Sequence, residues 1–379
     1  MKKSIGYVGL DVHGETIAIA VAEAGRAGEV RWIGTIANRA EALRKAMKKL
    51  GRAQDLRVCY EAGPCGYAVY WQLTKLGIAC EVIAPTLIPT KAGDRVKTDR
   101  RDAEKLARSY RSGDLTPVWV PDEAHESLRD LVRAREAAKK DEKRARHRLS
   151  KFFLRRGLRP PRGVRSWTQR YFAWVRALRM EDFAAQMTLD DYLREVDHGL
   201  DRVRNIERVI DEALEQASPQ TQELVAALQA LRGVAKVSAV TLATEVGQMS
   251  RFKRPCELMS YAGLVPSEYS SGSKTSRGSI TKAGNSHLRR IVIESAWSYR
   301  HRPYVGWGLR KRQEGLAPEI KDVAWKAQHR LHERYRHLCV REKVKGKVVT
   351  AVGRELLGFI WAIGVGIERS TGHAPARAV

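Results

Sequence analysis

The first third of the chain alternates apolar and polar positions in short runs that predict strands and helices in turn. Residues 5–37 predict three strands, because the period-two alternation is interrupted by turns at Gly14 and near Gly25. The elements predicted next are a helix over 40–50, a strand over 56–60, a helix over 67–76, a strand over 79–84 and a helix beginning near Thr98. The order βββαβαβα predicts a mixed α/β domain.

Two long helices are predicted after the prolines Pro117 and Pro121. The first covers about 125–156 and the second about 189–217, where apolar residues recur at near-heptad spacing. A short aromatic-rich helix is predicted over 167–174. We expect the two long helices to form a helical hairpin, either antiparallel within the chain or between subunits. Breaks in the apolar stripe argue against a long two-stranded coiled coil.

The remaining third predicts mostly α structure. Leu231–Gly247 has the pattern of a helix, a glycine turn and a second helix, which is similar to a helix-hairpin-helix module. The match is partial because Ala235 stands where that motif usually has a second glycine. A loop rich in Ser and Gly precedes a helix over 287–297, and a strongly basic helix is predicted over 318–341. The tail from Ser370 is expected to be disordered.

The composition indicates a protein that binds a polyanion. The chain has 379 residues, of which 30% are charged, and a formal net charge of +26. A charge of this sign and size favours nucleic acid.

We find no apolar run of about 18 residues that would span a bilayer, and we expect no membrane association. Residues 356–364 are interpreted as part of a buried terminal helix. The N-terminus does not resemble a signal peptide and the five cysteines show no zinc-binding spacing, so we expect a cytoplasmic protein.

Four acidic residues occupy positions that favour a metal site. Asp11 and Glu61 each end an apolar strand, and these strand ends are neighbours in the predicted topology. Asp99 and Asp102 are three residues apart, on one helical face. Gathered carboxylates raise one another's pKa, and a hard cation such as Mg²⁺ removes that penalty. With the element order, they predict an RNase-H/RuvC-like domain. Asp99 could instead only cap its helix.

A second candidate site is the Ser/Gly-rich segment 263–285. A serine there could attack a phosphate, with nearby cations stabilising the developing charge. The serines are Ser270, Ser271 and Ser273, and the cations are Lys274, Arg277 and Lys282. The residues alone do not choose among the three serines. The alternative is a flexible linker. The segment has no GxxxxGK[ST] match, so a nucleotide P-loop is not supported.

Six short strings in order make the chain resemble the DEDD transposases of bacterial insertion sequences over nearly its whole length. The strings are Gly-Leu-Asp-Val-His at 9–13, Tyr-Glu-Ala-Gly at 60–63, Lys-Thr-Asp-Arg-Arg-Asp-Ala-Glu-Lys-Leu-Ala at 97–107, Tyr-Ala-Gly-Leu-Val-Pro at 261–266, Ser-Ser-Gly at 270–272 and Ile-Thr-Lys-Ala-Gly-Asn at 280–285. Studied members of that family are serine recombinases guided by a bridge RNA. The resemblance implies a RuvC-like domain that holds Mg²⁺ on Asp11, Glu61, Asp99 and Asp102. It also implies that the nucleophile is Ser271, which precedes the glycine.

The resemblance implies a reaction and its partners. The serine would form a phosphoserine link to the 5′ end of cut DNA, and the freed 3′ hydroxyl would attack the equivalent link on a partner strand. The metal site would assist it across a domain or subunit boundary. Donor DNA, target DNA and a structured noncoding guide RNA are the expected partners of a homodimer that assembles into a tetramer. Lys282, Arg289 and Arg290 are candidate phosphate contacts near the nucleophile.

The predicted domains are a metal-binding domain over 1–122, a helical dimerisation and nucleic-acid-binding region over 123–220, a transposase domain over 221–300 and a basic helical extension over 301–379. In the middle region the basic residues are expected to contact nucleic acid, and most aromatic residues to pack in a core.

Two alternatives to the recombinase function remain open. One is a metal-dependent junction nuclease that does not use the serine. The other is a nucleic-acid-binding protein without catalytic activity.

Overall fold

A computed structural model describes residues 5–25, 28–90, 97–272 and 274–370 of the chain. The chain divides into two compact units, with the boundary between Pro121 and Asp122. Residues 371–379, where the tail was expected to be disordered, lie outside the described residues. The finer division of 122–379 into three predicted domains stays a prediction.

The first unit contains a five-stranded mixed sheet with helices on both faces. Its strands are β1 Gly6–Val12, β2 Thr16–Glu23, β3 Val30–Ala37, β4 Leu56–Glu61 and β5 Ala79–Ile83, and its helices are α1 Ala40–Leu50, α2 Ala68–Lys75 and α3 Asp99–Ser112. The strand order is β3-β2-β1-β4-β5, in which β1 is antiparallel to β2 and parallel to β4. The predicted order βββαβαβα is confirmed.

The two faces of this sheet differ in side-chain size, and the difference determines which helix covers each face. Leu10 of β1 and Val58 of β4 belong to the large apolar cluster that α1 and α2 cover. The opposite face carries Ala18 and Ala20 of β2, which pack against Ala103 of α3 in a cluster of small side chains. Small residues let a helix approach the sheet closely, so α3 packs tightly against the strand ends.

The second unit begins with an antiparallel helical hairpin within the chain. Its arms are α4 Glu123–Arg155 and α6 Phe183–Glu215, with α5 Gln169–Ala177 between them. The direction follows from ion pairs, because Arg148 lies 2.6 Å from Glu195 while Arg202 lies 3.2 Å from Asp141. The predicted hairpin is therefore confirmed as intrachain. The aromatics between the arms form a core, as expected, in which Phe152, Phe153 and Tyr171 are buried.

Seven further helices and a short β-hairpin complete the second unit among the described residues. They are α7 Pro219–Leu228, α8 Lys236–Val246, α9 Pro255–Tyr261, β6 Pro266–Glu268, β7 Arg277–Ile280, α10 Ser286–Ala296, α11 Trp307–Gln313, α12 Pro318–Arg341 and α13 Lys345–Ser370. Single 3₁₀ turns cover Met249–Arg251 and Trp297–Arg300 in this unit, and Ala53–Asp55 and Pro85–Leu87 in the first unit. The expected helices on both sides of the Ser/Gly-rich segment are confirmed.

Helix α13 bears on the expectation that no segment spans a membrane. By length and composition it could span a bilayer, since an 18-residue window has a mean hydropathy of 1.6. The apolar residues of this window are interrupted by Arg354 and Glu355, but valine, leucine and isoleucine outweigh these two charges in the mean. However, 56% of that window is buried within the protein, and Leu356, Leu357 and Ile360 belong to the main core. Its interpretation as a buried terminal helix is confirmed.

Candidate active site

Asp11 lies at the end of β1, on the face of the sheet that α3 covers. Side chains alternate along a strand, so Asp11 shares its face with Gly9, which packs directly against Ala103 of α3. Glu61 of β4 shares its face with Cys59, which belongs to the cluster containing Leu106 of α3. The parallel register then places Glu61 at the same end of the sheet as Asp11.

The first turn of α3 brings the two remaining acids to this edge. Thr98 caps the helix, and its hydroxyl accepts a hydrogen bond from the backbone N–H of Arg101 at 3.3 Å. The alternative that Asp99 is merely the helix cap is therefore wrong. Asp99 and Asp102 both lie in the first turn, where the helix dipole favours negative charge. Lys97 Nζ lies 4.0 Å from the carboxylate of Asp102.

Three possible metal ligands gather at this edge among the described residues. The Nε2 atom of His13 lies 3.2 Å from Oδ2 of Asp11 and 3.6 Å from Oδ1 of Asp99. One ligand atom from each of the three residues lies within 4.8 Å of the others. Asp102 and Glu61 are outside this group. The sequence predicts that His13 is a turn residue two positions after Asp11, with a supporting role left open. Its position next to Asp11 was the only available signal.

The electrostatics of the cluster favour a cation. Burial raises the pKa of Asp11, His13 lowers it through charge and a hydrogen bond, and the carboxylates of Asp102 and Asp99 raise it. A divalent cation among these groups would remove the repulsion. The donor set fits a hard divalent metal because carboxylate oxygens dominate it, with one imidazole nitrogen added.

The Ser/Gly-rich segment of the second unit is an ordered hairpin rather than a linker. Strands β6 and β7 pair antiparallel, and beyond them the backbones of Ser271 and Lys274 bond to each other in both directions at 3.1 Å. Gly272 takes a positive φ of 58° at the turn between them. Ser273 lies outside the described residues. The turn leaves Ser271 exposed.

Ser270 and Ser271 differ in their surroundings. The hydroxyl of Ser270 donates to Oε1 of Glu268 at 2.8 Å, and Arg277 donates to the other oxygen of that carboxylate at 3.2 Å. Hydrogen bonds from Ser270 and then Arg277 lower the pKa of Glu268. A hydroxyl that donates to a carboxylate is held in one orientation. Ser271 and Lys274 remain exposed at the turn.

The other basic candidates also differ in their surroundings. Lys282 is exposed and adopts a positive φ of 55°. Arg289 donates to the carbonyl of Ala262 at 2.9 Å. Arg290 contacts the carboxylates of Glu136 at 3.0 Å and Glu294 at 2.9 Å. Their roles as phosphate ligands stay predictions, and both arginines already hold parts of this unit together.

A polar network that no sequence pattern indicates lies beside this hairpin. Arg133 of α4 donates to both carboxylate oxygens of Glu245 on α8, at 2.7 and 2.9 Å. Asn285 donates to the same carboxylate at 2.7 Å, while its own side-chain oxygen caps α10 by accepting from Leu288 N–H. Burial would raise the pKa of Glu245, but the hydrogen bonds from Arg133 and Asn285 lower it. The network therefore holds Asn285, the residue that joins the loop after β7 to the start of α10, in a fixed position.

Comparison with known proteins covers both units. Residues 8–156 match a family model of the DEDD, IS110 type described as Transposase. Residues 225–306 match the model described as Transposase IS116/IS110/IS902 family. The four acids lie in the first match and Ser271 lies in the second.

Three related proteins illustrate the similarity. The y4qE protein of Sinorhizobium fredii (strain NBRC 101917 / NGR234) is 46% identical over 94% of this chain and 88% of its own length. The transposase for insertion sequence element IS1533 of Leptospira borgpetersenii is 32% identical over 90% of this chain and 99% of its own. The pilin gene-inverting protein of Moraxella bovis is 27% identical over 54% of this chain and 53% of its own.

Proposed function

This chain belongs to the IS116/IS110/IS902 family of transposases, and on that premise we propose how it cuts and rejoins DNA. It is a DNA transposase of an insertion sequence. We propose that it acts as a site-specific recombinase whose nucleophile is Ser271, assisted by Mg²⁺ on the acidic cluster. The relative named for inverting a pilin gene supports this proposal, since inversion requires that DNA ends be rejoined and not only cut.

The proposed reaction consists of two transfers at phosphorus. In the first, the Ser271 Oγ–phosphorus bond forms and the bond from phosphorus to the 3′ oxygen breaks. The serine loses its proton and the departing 3′ oxygen gains one. In the second, a 3′ hydroxyl of a partner strand attacks the phosphoserine, and Ser271 regains its proton as it leaves. The covalent link conserves the phosphodiester bond energy, so no nucleotide triphosphate is required.

The exposed Ser271 at the hairpin turn is the observation that carries this proposal. A nucleophile must reach a phosphate of duplex DNA, and the turn presents this serine with Lys274 bonded across from it. Ser270, by contrast, donates its hydroxyl to Glu268. Basic groups close to the serine favour approach of a phosphate and stabilise charge that develops on it.

Asp11, Glu61, Asp99 and Asp102 would hold the Mg²⁺, with His13 against Asp11. The cation would neutralise negative charge that develops on the phosphate and on the departing oxygen. His13 orients the Asp11 carboxylate through their 3.2 Å contact. Thr98 positions Asp99 and Asp102 by capping α3.

The remaining parts of the proposal concern partners and location. The net charge of +26 supports binding of DNA and of a structured noncoding guide RNA, whose base pairing would select the sites. We propose a homodimer that assembles into a tetramer, because strand exchange joins two DNA ends at two sites. We propose a cytoplasmic location, because a transposase must reach its DNA substrate.

The test is a trapped protein–DNA adduct. A DNA carrying the element end is labelled on the strand that keeps the 5′ phosphate, incubated with protein, RNA and Mg²⁺, and resolved under denaturing conditions. We expect a covalent adduct with the unsubstituted protein and with Ser270→Ala, and none with Ser271→Ala. Cleavage that persists in Ser271→Ala without an adduct would instead support a metal-dependent nuclease.

A further inference from the structure

A concave site of about 380 Å³ lies on α12, away from the residues discussed so far. Trp325, His329, His332 and Arg336 follow one another at spacings of four, three and four residues, so they share one face of the helix. Arg302 lines the opposite side, in the segment that precedes α11. The cavity is therefore formed between a long helix and a short irregular segment.

Two hydrogen bonds join residues 299–304 to α12, and a third joins them to the turn that precedes α8. The backbone N–H of Tyr304 donates to the side-chain oxygen of Gln328 at 3.0 Å. The ring of His332 bonds through Nδ1 to the carbonyl of Tyr299 at 3.1 Å. Arg232 donates to the carbonyl of Arg302 at 2.8 Å. These contacts fix the position of the backbone that lines one side of the cavity.

An aromatic ring and positive charges face this cavity. The Trp325 side chain is 44% exposed, and its ring meets that of His329 edge to face at 4.5 Å between centroids. Arg302 and Arg336 are exposed at the rim. Among the described residues, neighbouring arginines of α12 behave differently, because Arg330 and Arg334 both pair with Glu355. Within the described part of the chain, Arg302 and Arg336 form no such ion pair with a carboxylate.

Polar groups that line the cavity can form hydrogen bonds with the edge of a base. A carbonyl can only accept, so the bond to Tyr299 places a proton on Nδ1 of His332, and in the neutral imidazole Nε2 is then an acceptor. Glu333, also on the lining, is a second acceptor. Acceptors beside an aromatic face suit a base with an exocyclic amino group, such as cytosine or adenine.

We propose that this cavity binds one unpaired nucleotide of a single-stranded nucleic acid. Its base stacks on Trp325 and its flanking phosphates lie against Arg302 and Arg336. An exposed indole with arginines beside it has the chemistry that proteins use for unpaired bases. The inference rests on the proposed function in one respect, that the protein handles nucleic acid. It does not depend on which residue attacks DNA.

The test measures binding of the full-length protein to fluorescent cytosine dodecamers. The central comparison is between a normal strand and one whose central positions are abasic. The unsubstituted protein should bind the normal strand roughly tenfold more tightly, because stacking of even one base has an effect of about this size. Trp325→Ala should abolish that preference, and Trp325→Phe, which keeps an aromatic face, should retain most of it.

Two matched controls separate the cavity from general surface effects. Trp307, which is 79% exposed, lies outside the lining. Trp307→Ala should keep the preference for the normal strand. Arg336→Gln should weaken binding more than Arg341→Gln, which removes the same charge from the same helix outside the cavity. The proposal would be overturned if Trp307→Ala lost the preference as Trp325→Ala does, or if Arg336→Gln and Arg341→Gln weakened binding equally. A preference for the normal strand that survives Trp325→Ala would also overturn it.

The two nucleic-acid sources are distinguished by repeating the series with RNA and DNA strands. Tighter Trp325-dependent binding of RNA assigns the cavity to the guide RNA, and tighter binding of DNA assigns it to a displaced strand. Failure of both arms while the Ser271 adduct still forms would remove this inference alone. Loss of the adduct with retained Trp325-dependent binding would remove the serine mechanism alone.

Discussion

A side chain at Gly9 of β1 would overlap the carbonyl oxygen of Ala103 on α3, because the two backbones touch at this point. The same Cβ would also lie 2.9 Å from the Cβ of Leu106. This contact sets the height of α3 over the sheet. It therefore sets how closely the acids in the first turn of α3 approach Asp11.

Gly9→Ala should damage both stability and metal binding. The helix must shift to accommodate the methyl group, and overpacking of this kind costs about 1–3 kcal/mol. We expect a lower urea midpoint and weaker Mg²⁺ binding. The control is Gly14→Ala, since nothing lies within 4 Å of a Cβ there. Full Mg²⁺ affinity in Gly9→Ala would show that the contact does not position the acids.

Adding Mg²⁺ should stabilise the protein through the acidic cluster. A ligand that binds only the folded state contributes about 2.7 kcal/mol at a hundredfold excess over its Kd. We expect the melting temperature to rise when chelator is replaced by Mg²⁺. The rise should persist in Glu41→Gln, which changes an acid on α1, and disappear in Asp11→Asn. A rise that is unchanged in Asp11→Asn would place the bound metal elsewhere.

Arg133→Ala should destabilise the second unit. The Glu245 side chain is only 1% exposed, and the substitution removes its cationic partner, which is itself 38% exposed. Removing a partner of a buried charge costs roughly 3–5 kcal/mol, and the partial exposure of Arg133 reduces our expectation to about 2 kcal/mol. Arg144→Ala, which breaks an exposed pair with Asp141 on the same helix, should change stability by less than about 1 kcal/mol. Similar urea midpoints for the two variants would contradict the importance of the network.

Glu136 should make stability depend on acidic pH. Burial would raise its pKa, but hydrogen bonds from His287, Lys140 and Arg290 lower it from 4.5 to about 2. A carboxyl whose pKa is lowered in the folded state contributes its full stabilisation of the folded protein above about pH 4.5. This contribution is lost as the pH falls toward 2. The difference in urea midpoint between unsubstituted protein and Glu136→Gln should therefore be constant above pH 4.5 and shrink below it. Glu223→Gln, an exposed change, should show no such dependence.

The placement of two of the acids at one sheet edge follows from strand periodicity. Period-two alternation locates β1 and β4, and the strand ends then place Asp11 and Glu61 at one edge. His13 was harder to assign because it lies just past β1, where a turn bond from its N–H to Thr16 sets its direction. Such a turn leaves no periodic signal.

The second unit was less predictable for two physical reasons. Strands β6 and β7 have three and four residues, too short for alternation to appear, so the hairpin was not separable from a linker. The Arg133–Glu245 pair joins residues 112 positions apart, and nothing local in the sequence indicates such a contact. The long helices α4 and α6 of the second unit were predictable, in contrast, because the stripe of apolar residues persists over many helical turns.

The proposed serine chemistry is tested most directly by identifying the amino acid that becomes joined to DNA. The trapped adduct is digested with protease and nuclease, and the modified peptide is sequenced by mass spectrometry. We predict a nucleotide phosphate on Ser271, formed in the presence of Mg²⁺ and absent from Asp11→Asn. A phosphate on any other residue, or DNA cut with Mg²⁺ but never joined to protein, would contradict it.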